Sequence, residues 1–249
     1  MESSHPFQRA VAVCIDTRDG QGRKRLYGVV QYARQHSWRV MLVRRSGSEA
    51  AREVARLEPQ GILAYLADAE LAEVARRLRV PLIDTARGHE VTPMYTTLDN
   101  DAVGRLAMEH FARLGLQQFG YCGVRGRFAS VARQTAFAEC LSQHRLRLHA
   151  FTQTVAEGES RMEPLMRWLD RLPKPIGILA FEDKLGERVL TACRWAEISV
   201  PEQVAVLGVG NDELMCEVSW PTLSSIHIPT QLFGFEAAAM LDWAMCGQA

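Results

Sequence analysis

The sequence predicts an α/β protein of two lobes, each a doubly wound parallel sheet. Three observations predict it. Apolar runs of strand length alternate with amphipathic stretches of helix length, the pattern of a parallel sheet covered by helices on both faces. The alternation occurs twice, in two halves of similar size, and 249 residues leave room for two domains at about 100–150 residues each. The clearest apolar run, Val204 to Leu207, breaks at Gly208-Val209-Gly210 and then presents Asn211, Asp212 and Glu213. Such a break is what a buried strand shows at the ligand-facing edge of an open sheet.

The elements follow in order. RAVAVCI (Arg9 to Ile15) reads as a buried strand, and Asp16 to Gly22 as a polar loop. Leu26, Val29, Val30 and Ala33 recur at helical spacing. RVMLV (Arg39 to Val43), a polar helix from about Glu49, GILAY (Gly61 to Tyr65), a helix from Ala69, PLID (Pro81 to Asp84) and YTTL (Tyr95 to Leu98) complete the first series. Asp99-Asn100 are N-cap residue types. They open a helix with Val103, Leu106, Ala107, Phe111 and Leu114 inward and Gly115 at its end. QFGYCG (Gln118 to Gly123) is a strand, a helix starts near Ser130, and Leu148 to Thr152 is a strand. Ser160-x-x-Glu163 reads as a capping box before a helix bearing Leu165, Met166 and Leu169. IGILAF (Ile176 to Phe181) is a strand, with a helix from about Lys184 to Ala196. After Val204 to Gly210, Ser224 to Ile228 is a short extended link and Gln231 to Met245 an alanine-rich helix. The expected layout is a disordered leader over 1–8, a first lobe over 9–99 plus 226–249, and a second over 100–225. A cleft lies between their carboxyl edges.

Composition excludes several functions. Lys and Arg number 29 against 29 Asp and Glu, so the chain lacks the basic excess that grips phosphates, and a DNA role needs another segment. The six cysteines form no C-x-x-C pair and several fall in apolar runs, which reads as reduced thiols of a cytosolic protein. No stretch resembles a signal peptide or a membrane span of about 20 apolar residues. The seven histidines show no metal-ligand spacing. Gly20-x-Gly22 opens a helix after a strand, yet Arg25 stands where a dinucleotide fingerprint has its third glycine. No P-loop or nucleophile elbow is present, so neither an enzyme nor a cofactor is expected.

Four loops follow strands and could face the cleft: Asp16 to Arg23, Val124 to Arg133, Phe181 to Asp183, and Gly210 to Glu213. Asp16, Arg23, Ser130, Arg133, Asp183, Asn211 and Asp212 are the candidate ligand residues. Carboxylates accept from sugar hydroxyls, Arg donates in a fixed fork, and Asn does both. Phe128, Phe181 and Trp220 are candidate platforms for the C–H face of a sugar ring. Each has a plainer alternative: Asp16 and Asp183 as helix caps, Arg133 as a surface charge or ion-pair partner, Asn211 and Asp212 as turn formers, the aromatics as core.

TTLDNDAVGRLAMEHFARLGLQQFGYCG (Thr96 to Gly123) and Ser130-x-x-Arg133-x-x-Ala136-Phe137 resemble the effector domains of LacI/GalR-type regulators. SVPEQVAVLGVGNDELMCEVSWPTLSSI and CIDTRDGQGRKRLYGVVQYAR resemble more narrowly those of xylose-type AraC-family regulators. The resemblance implies a periplasmic-binding-protein-like type I fold that binds a sugar, such as the pentose xylose, between its lobes. It implies Arg133 and Ser130 as contacts from the second-lobe motif, Asp183 from the strand end, and Asn211-Asp212 from the G-V-x-N-D-E motif. It also implies a cytoplasmic homodimer acting on DNA through a C-terminal AraC-type domain, of which this chain is the excised effector part. A stand-alone sugar-binding protein for transport, or a sugar-active α/β enzyme, is the alternative. The chain departs from the family pattern at Gly210, where the pattern has Asp, and at Ala129, where it has Trp. Both departures remove contact groups.

Overall fold

The structure is a computed structural model that describes residues 9–86, 91–154 and 161–247. The leader expected over 1–8, and Ser160 of the expected capping box, lie outside the described residues. In chain order the elements are β1 (Arg9–Cys14), α1 (Gly20–Gln35), β2 (Trp38–Leu42), α2 (Gly47–Leu57), β3 (Gly61–Ala64), α3 (Ala69–Leu78), β4 (Leu82–Asp84), α4 (Asn100–Arg113), β5 (Phe119–Val124), α5 (Phe128–Gln143), β6 (Leu148–Gln153), α6 (Glu163–Arg171), β7 (Ile176–Ala180), α7 (Asp183–Trp195), β8 (Val204–Gly210), α8 (Glu213–Val218), β9 (Ser224–His227) and α9 (Thr230–Met245). They form two compact units, Met1–Leu98 with Pro229–Ala249, and Asp99–Ile228.

The first unit holds a sheet of order β2-β1-β3-β4 and the second one of order β6-β5-β7-β8-β9, with every named pairing parallel. Strand alternation divides the first core in two. Val11 and Val13 of β1 pack with Val29, Ala237 and Leu241. Ala12, facing the other way, packs with Val54, Ile62 and Leu71, as period-2 side chains must. The second unit has its own cluster, including Cys122, Leu165, Leu169, Ile178, Val189 and Val206. Three helices, α1, α3 and α4, start where an aspartate side chain satisfies an exposed N–H group. Asp19 accepts from the Gly22 amide at 2.6 Å, Asp68 from Leu71 at 2.8 Å and Asp99 from Ala102 at 2.8 Å. Gly115 closes α4 at φ +72°, with the Leu116 amide donating to the Phe111 carbonyl at 3.1 Å.

Several local expectations are corrected. Met162 occupies the N-cap position of α6, and its side chain makes no capping bond. Tyr95 to Leu98 form no strand; Tyr95 makes one isolated bridge, to Asp84. Ser224–His227 is more than a link: β9 pairs with β8 as the edge of the second sheet. Glu213, expected in the loop after the strand, begins the short helix α8. The six cysteines are free: Cys122, Cys193 and Cys216 are buried, Cys14 and Cys140 partly so, and Cys246 exposed. Burial pushes the Cys122 thiol up to about 12, which makes it inert.

Candidate functional site

Strand order places a topological switch point in each sheet. The chain leaves β5 towards β6 on one side and reaches β7 on the other, so the carboxyl ends of β5 and β7 flank a topological switch point, where open α/β sheets receive ligands. Ser130 and Arg133 rise from α5 beside it.

Ser130 is buried, and its hydroxyl is already engaged. It accepts from the Val124 amide at 2.9 Å and lies 3.1 Å from the Tyr121 hydroxyl, which also donates to the Ser130 carbonyl at 2.9 Å. Burial pushes the Tyr121 phenol up to about 12. A Cβ on Gly123 would lie 2.5 Å from the Tyr121 ring and 2.8 Å from Ser130 Oγ. Glycine is therefore required for this lock, which fixes the loop between β5 and α5.

Arg133 is 5% exposed, which rules out the surface-charge alternative. Its Nε donates to Asn100 Oδ1 at 3.2 Å, its Nη1 donates to the Phe181 carbonyl, and its guanidinium carbon lies 5.0 Å from the Phe181 ring centre. Both of these acceptors are neutral, and the two bonds orient the guanidinium. Phe181 thus lies under a cation at the end of β7.

Asp183 does not cap its helix. Glu182 holds the N-cap position of α7, and the buried Asp183 carboxylate ties three elements together. Its Oδ2 accepts from the Asp212 amide at 2.7 Å, and its Oδ1 accepts from the Ser225 hydroxyl, which in turn accepts from the Asn211 amide at 3.0 Å. Burial raises its pKa, against the lowering effect of the Asp212 and Ser225 hydrogen bonds. A Cβ on Gly208 would lie 2.3 Å from Asp183 Oδ1, so β8 needs glycine beneath the carboxylate. Gly210 adopts φ +133° and Asn211 φ +54°, the left-handed side where glycine and asparagine are favoured. Gly210 therefore has a backbone reason to be glycine. Asp212, half-buried, sits at the N-cap position of α8 without a side-chain capping bond.

The second sheet's carboxyl edge thus gathers Ser130, Arg133, Phe181, Asp183, Asn211 and Asp212. Phe128 begins α5 at 36% exposure, whereas Trp220, beyond α8, is 75% exposed. Asp16 and Arg23 belong to the other unit, on its loop from β1 to α1. Asp16 accepts from Arg18 Nη2 at 2.6 Å and from the Arg18 amide at 2.9 Å, and Arg18 holds its carboxyl below the ordinary range. Arg23 Nη1 donates to the Thr17 and Arg18 carbonyls at 3.1 and 2.9 Å. A Cβ on Gly22 would lie 1.6 Å from the Asp16 carbonyl oxygen, so Gly22 serves close packing of this loop. Sequence reasoning missed Asn100 and Ser225, the partners that orient Arg133 and Asp183; their signal was only the polar character of a helix start and an edge strand. Among the described residues no group of three or more His, Cys, Asp or Glu could hold a metal ion, and no helix is long and apolar enough to cross a membrane.

Two parallel α/β units with polar side chains gathered at switch points define a ligand-receiving protein of the type I binding-protein class. The chain belongs to the periplasmic binding protein-like domain family, whose model matches residues 108–249. Among relatives, it is 28% identical over 204 residues to the xylose operon regulatory protein of Haemophilus influenzae, covering 78% of this chain and 53% of that protein. The chain spans about half the length of the curated relatives it matches. Among solved structures it superposes on the xylose-binding transcription activator xylR with TM-score 0.78 at 22% identity, covering 98% of this chain and 66% of that one. It superposes on the transcriptional regulator CelR in complex with cellobiose with TM-score 0.80 at 22% identity, covering 96% and 79%.

Proposed function

We propose that the chain is the sugar-sensing domain of a DNA-binding transcription regulator. The carrying observation is Arg133, a buried guanidinium oriented by Asn100 and the Phe181 carbonyl at the switch point of the second sheet. A fixed fork of donors beside the accepting groups of Asp183, Asn211 and Asp212 suits the vicinal hydroxyls of a sugar. Relatives named as xylose operon regulators support a pentose such as xylose. In this reading Ser130 shapes the contact loop, Phe128, Phe181 and Trp220 are the platform candidates, and Asp16 and Arg23 are the first unit's candidate contacts. The regulator acts in the cytoplasm as a homodimer, reaches DNA through an AraC-type region, and catalyses no reaction.

A thermal-shift screen of pentoses, hexoses and their derivatives tests this. A ligand at a hundredfold excess over its Kd stabilises the fold by about 2.7 kcal/mol. Arg133→Ala is expected to remove that stabilisation while the far-UV circular dichroism stays unchanged. Unchanged affinity in this variant would take Arg133 out of the site; turnover of a sugar without a shift would replace the regulator reading with an enzyme.

A further inference from the structure

The first unit repeats the geometry of the second at its own switch point. The carboxyl ends of β1 and β3 flank it in the order β2-β1-β3-β4, as those of β5 and β7 do in the second sheet. Arg133 is the sixth residue of α5, and Arg25 is the sixth residue of α1. Phe181 directly follows β7, and Tyr65 directly follows β3. The Phe181 amide donates to the Cys122 carbonyl at 2.9 Å, and the Tyr65 amide donates to the Cys14 carbonyl at 2.9 Å. Register makes these positions equivalent: Cys14 pairs with Ala64 as Cys122 pairs with Ala180. The Arg25 guanidinium carbon lies 4.5 Å from the Tyr65 ring centre, matching Arg133 over Phe181 at 5.0 Å.

The two pairs differ at the guanidinium Nε. Arg133 Nε has an acceptor in Asn100, whereas Arg25 Nε is buried with no hydrogen-bond partner among the described residues. Asp84 and Asp19 attract Arg25, but burial outweighs them and lowers its pKa. Oδ1 of Asp84 is occupied by the Leu66 and Ala86 amides at 3.1 and 3.0 Å. A desolvated guanidinium with an unmet donor is costly unless an acceptor arrives from outside.

We propose that Arg25 over Tyr65 is a ligand-contact position at the first unit's own switch point, and that it receives an oxyanion, the carboxylate or phosphate group of an acidic sugar. The inference rests on the sugar-sensing reading and adds the charge of the ligand to it. Arg25 donates to the oxyanion through the charge-assisted bonds that Arg makes best. Tyr65 holds the guanidinium in place from below.

Isothermal titration of this chain with D-xylose, D-xylonate and D-xylose 5-phosphate tests it. At least one of the two acidic sugars is expected to bind about tenfold or more tightly than xylose, and which one does so separates carboxylate from phosphate. Arg25→Gln is expected to lose that preference. Tyr65→Leu is expected to weaken it, and serves as the second variant should Arg25→Gln fail to fold. Xylose binding with no preference for either acid, or a preference that survives in Arg25→Gln, overturns the inference and leaves the sugar-sensing reading standing. Silence with all three sugars and across the wider screen overturns both.

Discussion

Asp183 and Asp16 are both candidate contacts, yet their surroundings push them in opposite directions. Burial raises the Asp183 pKa, while Arg18 lowers that of Asp16. Between the ordinary aspartate pKa and the raised native one, the folded chain binds the Asp183 proton more readily than the unfolded chain. Its contribution therefore favours the fold more as pH falls through that window. Asp16 contributes stability above the ordinary value and loses it as pH falls towards its depressed native pKa. With 42% of its side chain exposed, that contribution is screened and small. Carbon-detected NMR titration should give an Asp183 midpoint above and an Asp16 midpoint below that of a model aspartate; the reverse order would contradict the burial of Asp183 and the contact of Arg18 with Asp16. Asp183→Ala strands the Asp212 amide and the Ser225 hydroxyl, and should cost about 2–3 kcal/mol, measured by urea unfolding. The sequence offered these residues as candidates by type and by position after a strand. It did not show that Ser130 and Asp183 spend their polar atoms on neighbours, because those partners, Tyr121 and Ser225, lie on other elements and only the fold brings them close. Arg25 was visible solely as a broken glycine motif.

At the scale of elements, α1 and α9 approach unusually closely. A Cβ on Gly28 would lie 1.9 Å from the Gln231 carbonyl oxygen, and one on Gly234 2.0 Å from that of Arg25. Backbone cannot yield as a flexible side chain can, so Gly28→Ala and Gly234→Ala should each cost about 3 kcal/mol by forcing the helices apart. Thermal melting of the variants checks this, and a wild-type melting temperature would show that the helices can slide at little cost. Gly234→Ala also moves the backbone of Arg25, so it should weaken any binding that depends on that residue. The elements themselves were largely legible. Continuous apolar runs such as Ile176–Ala180 have few readings other than a buried strand. The weaker ones were not: β9 is only partly buried, and α8 is six residues long, too short for a helical period to declare itself.

At the scale of the whole molecule, two units each contain their own core, but only the second is continuous in sequence. Among the described residues, its cluster draws on none outside Asp99–Ile228. That segment expressed alone is expected to fold and to melt cooperatively; a featureless circular dichroism spectrum would refute this. The first unit needs α9. Removing residues 229–247 deletes Ala237, Ala238 and Leu241 from the cluster around Val11 and Val29, and should abolish the first unit's melting transition while the second survives. Two series of βα units could be read from the sequence, since hydrophobic period reports local structure. Which sheet a returning segment joins is settled by packing between residues far apart in the chain.

The late return of α9 has a consequence for synthesis. On the ribosome, the strands and helices before Leu98 emerge well before their covering helix, and the 130 residues of Asp99–Ile228 must be made in between. At about 5–20 residues per second this leaves roughly 7–26 s, during which Val29, Ala33 and the adjoining face of β1 await their partner. The nascent first unit is thus a natural client for chaperones, and the second, though later in the chain, is the first able to complete its fold.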